Sequence, residues 1–116
     1  MLKIVIMLKK TELKTLETDK ETITIGRNNN CDIQINNLGV SKKHAAITRR
    51  NGSYFIEDFN STNGTLLNNE QISKAGLSGN DVITIGKHTL FVSIQEGRSA
   101  TQGFAESTIK ITPNTR

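Results

Sequence analysis

The sequence has few of the residues that build disulfides, metal sites or nucleotide sites. Among its 116 residues there is one cysteine, Cys31, so an intrachain disulfide is excluded and nothing requires an oxidising compartment. One cysteine and two histidines give no zinc-ligand spacing, and the acidic residues Asp32, Glu57 and Asp58 are too scattered for a metal site. No glycine-rich loop precedes a helical segment, which excludes a P-loop. We therefore expect no metal and no cofactor.

Long apolar runs are also missing. The apolar run at residues 1–7 is interrupted by Lys3 and ends at Lys9 and Lys10, so it is too short to span a membrane. It also lacks the small-residue cleavage site of a signal peptide. We expect no membrane association, and a soluble, cytoplasmic protein or a fragment of one.

The single proline, Pro113, lies in a C-terminal stretch rich in Gly, Ser, Thr and Gln that has no sustained apolar period. This composition is typical of flexible tails and linkers. We predict one domain over residues 1–96, followed over residues 97–116 by a flexible tail or the start of an interdomain linker.

Period-two alternation of β-branched residues is the dominant pattern that the sequence does contain. Asn/Gly/Ser clusters separate the alternating segments, and many short strands at this spacing indicate an all-β sandwich or barrel. Residues 12–20 have too few apolar positions to define a buried face, and we expect them to form a loop. We predict strands over residues 2–7, 21–25, 32–35, 44–49, 53–57, 65–67, 71–72, 81–85 and 88–94.

Asn51 and Gly52 form a strong signal for a two-residue hairpin, because both central positions of that turn need positive φ. A hairpin returns the chain to the end of the sheet from which it started. The loops before and after it, residues 36–43 and 58–64, must therefore lie at the same end of the sheet. This makes Ser41 a neighbour of residues 61–63.

Arg27 is not placed by the hairpin. One short strand separates its loop from the loop that carries Ser41, and a simple zigzag would put the two loops at opposite ends of the sheet. Four residues span only about 13 Å, so the long arginine side chain allows convergence without requiring it.

A phosphate group is the ligand that the loop residues suit best. A phosphomonoester carries nearly two negative charges and three acceptor oxygens, so it needs converging donors and preferably a guanidinium fork. Arg27 supplies the fork, Ser41 and Thr62 supply hydroxyls, and Lys42 supplies a compact charge. The Asn63 amide offers both a donor and an acceptor, which pairing with an extended peptide backbone requires.

Ser41 and His44 raise the alternative of a hydrolase, because they are spaced as a Ser-x-x-His pair. The pair lacks an acidic residue at a defined position and an oxyanion-hole motif. We expect His44 to be a structural hydrogen-bonding residue and the protein not to be an enzyme.

Taken in order, the motifs resemble the forkhead-associated (FHA) domain, a phosphothreonine-binding β-sandwich. The resemblance runs from about residue 22 to residue 94, and it is specific because several motifs occur in order with compatible spacing. The motifs are GR (26–27), CDI (31–33), SKKH (41–44), YFIED (54–58), STNGTLLN (61–68) and LSGNDVITIG (77–86).

The resemblance implies an all-β, FHA-type sandwich of about eleven mostly antiparallel strands with the recognition loops at one end. That clustering would bring Arg27 to the other loops. It also implies a phosphopeptide-recognition module that binds phosphothreonine in partner proteins, in phosphorylation-dependent signalling or assembly.

The resemblance also assigns roles by position. Arg27 and Ser41 would bind the phosphate, and Thr62 would bind it or shape the pocket. Asn63 would hold the peptide backbone beside the phosphothreonine. Lys42 stands where the family often has arginine and would touch phosphate or peptide. The scaffold residues that the resemblance implies are Gly26, His44 and Gly64.

One further position departs from the family pattern. Asn69 stands where the family often has glycine after Asn68. Asparagine can adopt the left-handed conformation that this glycine would supply.

Nucleic-acid binding on a small β-barrel is an alternative, because residues 27–50 carry five Lys or Arg residues against one acidic residue. Such platforms interleave aromatic residues with cations. Here the aromatic residues before the tail are few, and we assign most of them to the core, so we disfavour this alternative. A phosphorylation-independent scaffold is disfavoured because the binding set is intact. The aromatic residues concerned are Tyr54, Phe55, Phe59 and Phe91.

Thr108 suggests a second ligand, because Ile111 follows it at the +3 position that FHA domains often read. If Thr108 were phosphorylated, the tail would be able to dock in its own pocket or in that of a neighbouring molecule. A plain linker is the alternative.

Overall fold

Eleven β-strands and no helix make up the part of the chain that the structure describes, residues 1–95 of a computed structural model. The predicted tail, with Thr108, lies outside these residues. The strands are β1 (Leu2–Leu8), β2 (Thr11–Thr18), β3 (Thr22–Gly26), β4 (Ile33–Gln34), β5 (Ala45–Arg50), β6 (Ser53–Asp58), β7 (Thr65–Leu67), β8 (Glu70–Ile72), β9 (Lys74–Gly76), β10 (Asn80–Ile85) and β11 (His88–Ile94).

The strands form two sheets that pack as a sandwich. The six-stranded sheet has the order β2-β1-β11-β10-β7-β8, and the five-stranded sheet has the order β4-β3-β5-β6-β9. Within residues 1–95 the pairings given by register are antiparallel except β3 with β4. The predicted sandwich of eleven mostly antiparallel strands is therefore confirmed.

The core lies between the sheets and follows the predicted alternation. Ile4 and Ile83 of the six-stranded sheet and Ile23, Ile47 and Ile56 of the five-stranded sheet have no exposed surface. Ile4, Ile23, Ile56 and Ile83 lie on strands where the residues on either side of them are half-buried or exposed, as the period-two geometry of a strand requires. Strand β5 departs from this pattern, because Ala46 beside Ile47 is also buried. Each fully buried aliphatic side chain contributes about 1.5–3 kcal/mol relative to exposure.

The prediction of a loop over residues 12–20 is wrong, because Thr11–Thr18 forms β2. This strand pairs with β1 along its whole length, from Leu2 with Thr18 to Leu8 with Thr11. It lies at the edge of its sheet, and its residues are exposed except for the half-buried Leu16 and Thr18. Only Leu16 of this strand packs against the core, so the strand has no apolar alternation and the pattern missed it. The three-residue strand β9 was not predicted either.

The assignment of most aromatic residues to the core is also wrong. Tyr54 is buried, but Phe55 is only half-buried and Phe59 and Phe91 are exposed. Phe91 lies opposite Val5 and Val82 on the outer face of the six-stranded sheet, because it alternates with the buried Leu90 and Val92.

The strand directions give the sandwich two distinct ends. β1, β3, β6 and β10 finish at one end, which we call the loop end, and β5, β7 and β11 begin there. We call the opposite end the far end. The turns at the loop end are residues 9–10, 26–28, 36–43, 59–64 and 86–87.

The parallel pairing of β3 with β4 brings Arg27 and Ser41 to the same end, against the zigzag expectation. Gly26 pairs with Gln34, so the chain crosses back after β3 and runs towards the loop end a second time. Asp32 fixes this return. Its carboxylate accepts from Thr24 N–H at 2.9 Å, and its own N–H donates to Thr24 Oγ1 at 2.9 Å.

The two boundaries of the described chain meet at the far end. The Met1 amino group donates to the Gln95 carbonyl at 3.0 Å, and Gln95 N–H donates to the Met1 carbonyl at 2.7 Å. Within residues 1–95 no helix has the length and apolarity that a membrane span needs.

Candidate functional site

The hairpin at Asn51 and Gly52 brings the two predicted loops together. Both residues have positive φ, 52° and 80°, as the turn requires. At the other end of the hairpin, Thr62 N–H donates to Ser41 Oγ at 3.1 Å. The predicted proximity of the two loops is therefore confirmed.

Arg27 lies beside Ser41 and is oriented by backbone carbonyls. Its N–H donates to the Ser41 carbonyl at 3.0 Å, and its side-chain Nε donates to the Val40 carbonyl at 3.0 Å. The two terminal nitrogens of the guanidinium have no hydrogen-bond partner among residues 1–95. The fork is thus held at its base and free at its tip, the arrangement that bidentate binding of an anion requires.

Gly26 allows the backbone of the Ser41 loop to approach β3. A Cβ atom on Gly26 would lie 2.3 Å from the Lys42 carbonyl oxygen, so no side chain fits there. The same carbonyl accepts from Asn28 N–H at 3.2 Å. Because its backbone is held in this way, Lys42 presents an exposed side chain at the loop end.

His44 connects the loops through both ring nitrogens and is completely buried. Its Nδ1 accepts from Ser41 N–H at 3.0 Å, and its Nε2 lies 2.9 Å from the Gly64 carbonyl. An N–H facing Nδ1 and a carbonyl facing Nε2 define the neutral tautomer with its proton on Nε2. Since both nitrogens bind backbone, neither is available to activate the Ser41 hydroxyl.

Asp58 organises the second loop, a role that was not predicted from the sequence. Its carboxylate accepts from Ser61 N–H at 3.0 Å, from Ser61 Oγ at 2.5 Å and from Thr65 Oγ1 at 2.7 Å. Burial opposes ionisation of this carboxyl, but the hydrogen bonds from Ser61 and Thr65 hold its pKa below the usual value. An Asp three residues before a Ser in a turn is a readable signal for such a bond.

The bound Ser61 in turn fixes Gly64. Gly64 N–H donates to Ser61 Oγ at 3.0 Å, and Gly64 has a φ of 84°, which a residue with a Cβ rarely adopts. Between these two residues the chain must bulge outwards, which leaves the side chains of Thr62 and Asn63 exposed.

Asn63 bridges the loops at the edge of a cleft. Its Nδ2 donates to the Gly39 carbonyl at 2.9 Å, while its Oδ1 has no partner among residues 1–95. The cleft has a volume of about 500 Å³ and opens beside Asn63. Its lining residues are Asn37, Gly39, Asn63, Gly64, Leu66, Thr84, Gly86 and Lys87.

The loop end is strongly basic. Its turns carry six cations and no acidic residue, whereas the far-end turns (residues 19–21, 51–52, 68–69 and 77–79) carry one cation and two acidic residues. A surface of one sign attracts anionic ligands and raises their association rate. The six cations are Lys9, Lys10, Arg27, Lys42, Lys43 and Lys87.

The loop end does not have the ligands that a metal ion needs, among residues 1–95. Within residues 1–95 no group of three His, Cys, Asp or Glu side chains lies close enough to hold an ion. The Asp58 carboxylate, the acidic group nearest the site, is already occupied by donors from Ser61 and Thr65.

Residues 23–86 match the sequence model of the FHA domain. This match covers more than half of the chain and contains Arg27, Ser41, Lys42, Thr62 and Asn63. The chain belongs to the FHA family. Membership makes it a phosphopeptide-recognition module of the phosphothreonine-binding type, and not an enzyme.

Bacterial regulatory proteins are among its relatives. The chain is 39% identical over 72 residues to an oxoglutarate dehydrogenase inhibitor of Corynebacterium diphtheriae, a region that is 62% of this chain and 50% of that protein. It is 35% identical over 72 residues to the glycogen accumulation regulator GarA of Mycolicibacterium smegmatis, or 62% of this chain and 46% of that one. The chain thus spans about half the length of the curated relatives it matches.

Solved FHA structures share the fold. Mycobacterium tuberculosis EmbR, in complex with a low-affinity phosphopeptide, matches with a TM-score of 0.74 at 26% identity, over 85% of this chain and 26% of that one. A structure from a study of phosphothreonine-dependent FHA domain interactions matches with a TM-score of 0.71 at 26% identity. That match covers 81% of this chain and 98% of the other.

Proposed function

We propose that Arg27, Ser41, Lys42 and Thr62 bind the phosphate of a phosphothreonine and that Asn63 holds the peptide backbone beside it. The observation that carries this proposal is the Arg27 guanidinium, which is held at Nε by the carbonyl of Val40, the residue before Ser41, and has no partner among residues 1–95 at its terminal nitrogens. The Ser41 hydroxyl accepts from Thr62 N–H and keeps its own hydrogen to donate outwards. These contacts support a phosphate site, because they hold Arg27, Ser41 and Thr62 together at the loop end.

The scaffold roles of Gly26, His44 and Gly64 in this site follow from the same contacts. Removing any of them would displace the donors without touching the phosphate. The proposal for Asn63 rests on its free Oδ1, which can accept from a peptide N–H, and on its position at the mouth of the cleft.

We further propose that the domain acts in the cytoplasm by binding phosphorylated partner proteins, in signalling or assembly. The free state of its only cysteine, Cys31, is compatible with a reducing compartment. Its relatives include an enzyme inhibitor and a metabolic regulator, which supports a role in controlling a partner's activity.

Binding to a degenerate phosphothreonine peptide library, with an unphosphorylated library beside it, tests the proposal. Arg27→Ala and Ser41→Ala should each weaken binding of the best phosphopeptide about tenfold or more, since hydrogen bonds to charged groups contribute roughly 1.5–3 kcal/mol each. Arg50→Ala is the matched control, because Arg50 is exposed at the far end. It should leave binding unchanged.

Equal binding of phosphorylated and unphosphorylated peptides by the wild type would contradict the proposal. Tighter binding of single-stranded oligonucleotides than of phosphopeptides would favour the nucleic-acid alternative. Phe59 is the exposed aromatic residue at the loop end within residues 1–95, and one ring does not make the interleaved platform that such binding uses.

A further inference from the structure

The outer face of the six-stranded sheet carries an apolar row that no residue among 1–95 covers. Val5, Phe91 and Val82 lie directly opposite one another on three adjacent strands, with Phe91 in the middle. Phe91 is 47% exposed, and the two valines are half-buried. Cross-strand neighbours are about 4.5–5.5 Å apart at Cβ, so the three side chains form one continuous surface.

This row borders a shallow cavity of about 340 Å³ whose rim is polar. Lys3, Asn80, Ser93 and Gln95 line it together with the apolar row. An apolar floor inside a polar rim is the usual composition of an interface core, because the rim can bond to a backbone while the floor takes up side chains.

The row is continuous with the cleft beside Asn63. Thr84 lines that cleft and lies two residues from Val82 on the same face of β10, about 7 Å away. Leu66, which also lines the cleft, pairs with Thr84. An extended chain leaving the cleft over Thr84 would therefore reach the apolar row within a few residues.

We propose that the apolar row of Val5, Val82 and Phe91 is a second docking surface for the phosphorylated partner. Its occupant is an extended, apolar segment of the same partner chain, about four to eight residues from the phosphothreonine. This inference rests on the function proposed above, since the phosphate anchors the partner and the row receives this apolar segment. Joining the two contacts in one chain makes the second one intramolecular, so a weak apolar contact adds usefully to affinity.

Two phosphothreonine peptide libraries provide the test. One is degenerate only at the three positions on either side of the phosphothreonine. The other is made in two forms, with eight further degenerate residues added either on the N-terminal side or on the C-terminal side. Wild-type protein should enrich Val, Ile, Leu or Phe in one of the extensions. Phe91→Ser should abolish that enrichment and weaken the best extended peptide about fivefold to tenfold, with the short peptides bound as before.

Leu13→Ser is the matched control for Phe91→Ser. Leu13 is 52% exposed on β2 and lines a different cavity with Ile6 and Leu8, so it removes similar apolar surface from another place. It should leave both libraries unaffected. Val82→Thr is a second variant of the row that keeps the shape and β propensity of the residue. It should cause a smaller loss of the same apolar enrichment. Such a loss would show that the effect of Phe91→Ser does not come from a perturbed strand.

Each remaining outcome overturns the inference in a distinguishable way. If the short library binds and neither extension is enriched in apolar residues, the docking surface is wrong and the phosphate site stands. If neither library binds the wild type, the proposed function fails and the inference fails with it. If the protein alone is a dimer in light scattering and Phe91→Ser makes it a monomer, the occupant is a second copy and the proposal is wrong.

Discussion

Each end of the sandwich has a turn in which an aspartate binds a serine three residues away, but the two turns differ in what they leave exposed. At the loop end Asp58 accepts from the amide and hydroxyl of Ser61, and at the far end Asp81 accepts from the amide and hydroxyl of Ser78. Asp81 also accepts from Gly79 N–H and from the Asn68 amide, and it is buried.

The difference lies in what each carboxylate leaves exposed. The Asp81 carboxylate is buried and accepts four hydrogen bonds, from Asn68, from the amide and hydroxyl of Ser78 and from Gly79. The Asp58 turn instead leaves Thr62 and Asn63 pointing into solvent, beside the basic turns. A shared turn motif therefore surrounds a buried carboxylate at one end and leaves exposed side chains beside the basic turns at the other.

The largest effect should come from removing the far-end carboxylate. Asp81→Ala deletes the acceptor of four hydrogen bonds and should lower the free energy of unfolding by about 3 kcal/mol. Urea unfolding measures this loss. Phosphopeptide affinity should be unchanged when it is measured under conditions where the variant is still folded. A loss of affinity would contradict the assignment of separate roles to the two ends.

Asp58→Asn should affect phosphopeptide affinity, which Asp81→Ala should leave unchanged. It keeps the shape of the side chain but removes the charge that holds Ser61 and Thr65, so the loop that presents Thr62 and Asn63 loosens. We expect phosphopeptide binding to weaken about threefold to tenfold and stability to fall by about 1–2 kcal/mol. Isothermal titration with unfolding on the same sample separates the two effects. A stability loss with intact affinity would count against a positioning role.

Acid should affect both ends through these carboxylates. Burial opposes ionisation of Asp81, but hydrogen bonds from Asn68, Ser78 and Gly79 hold its pKa below the usual value, as happens at Asp58. A lowered pKa in the folded state means that the stabilisation is present above the unfolded pKa, about 3.9. It is lost as pH falls through the lower folded pKa.

We therefore expect the free energy of unfolding to decline below about pH 5, and Asp81→Asn to flatten this decline. Chemical unfolding at pH steps from 7 to 2 measures the slope. An unchanged slope in the variant would show that other carboxylates dominate.

The smallest effect should come from the far-end turn between β7 and β8. Asn68 and Asn69 both have positive φ, 51° and 71°. Asn69→Gly should change stability by no more than about 0.5 kcal/mol, because glycine adopts this conformation freely and loses more entropy on folding. Asn68→Gly should cost about 1–2 kcal/mol, since its amide also binds Asp81 and Val82 N–H. Thermal unfolding of the pair measures the contrast.

The sequence predicted the parts of the fold that bury one face. The alternating strands, the hairpin at Asn51 and Gly52 and the resulting contact of Ser41 with Thr62 all follow from local pattern. The left-handed conformation expected at Asn69 is also observed, with a φ of 71°.

Features that depend on long-range pairing escaped prediction from local pattern, although the family resemblance implied that Arg27 joins the other loops. Strand β2 lies at an edge and packs only Leu16 against the core, so its pairing with β1 is what identifies it. The placement of Arg27 depends on the parallel return of β4 and on the bonds from Asp32 to Thr24, which no periodicity encodes. Asp58 and Asp81 each bind side chains three or more residues away, and only the Asp-to-Ser spacing at Asp58 and Ser61 gave a local signal for such a bond.

The mutual hydrogen bonds of Met1 and Gln95 give the domain a single attachment point. Both connections to any longer polypeptide leave from there, nearly side by side and on the side away from Arg27 and Asn63. Such a unit can be spliced into a host protein as if into one loop, with little disturbance of either flank.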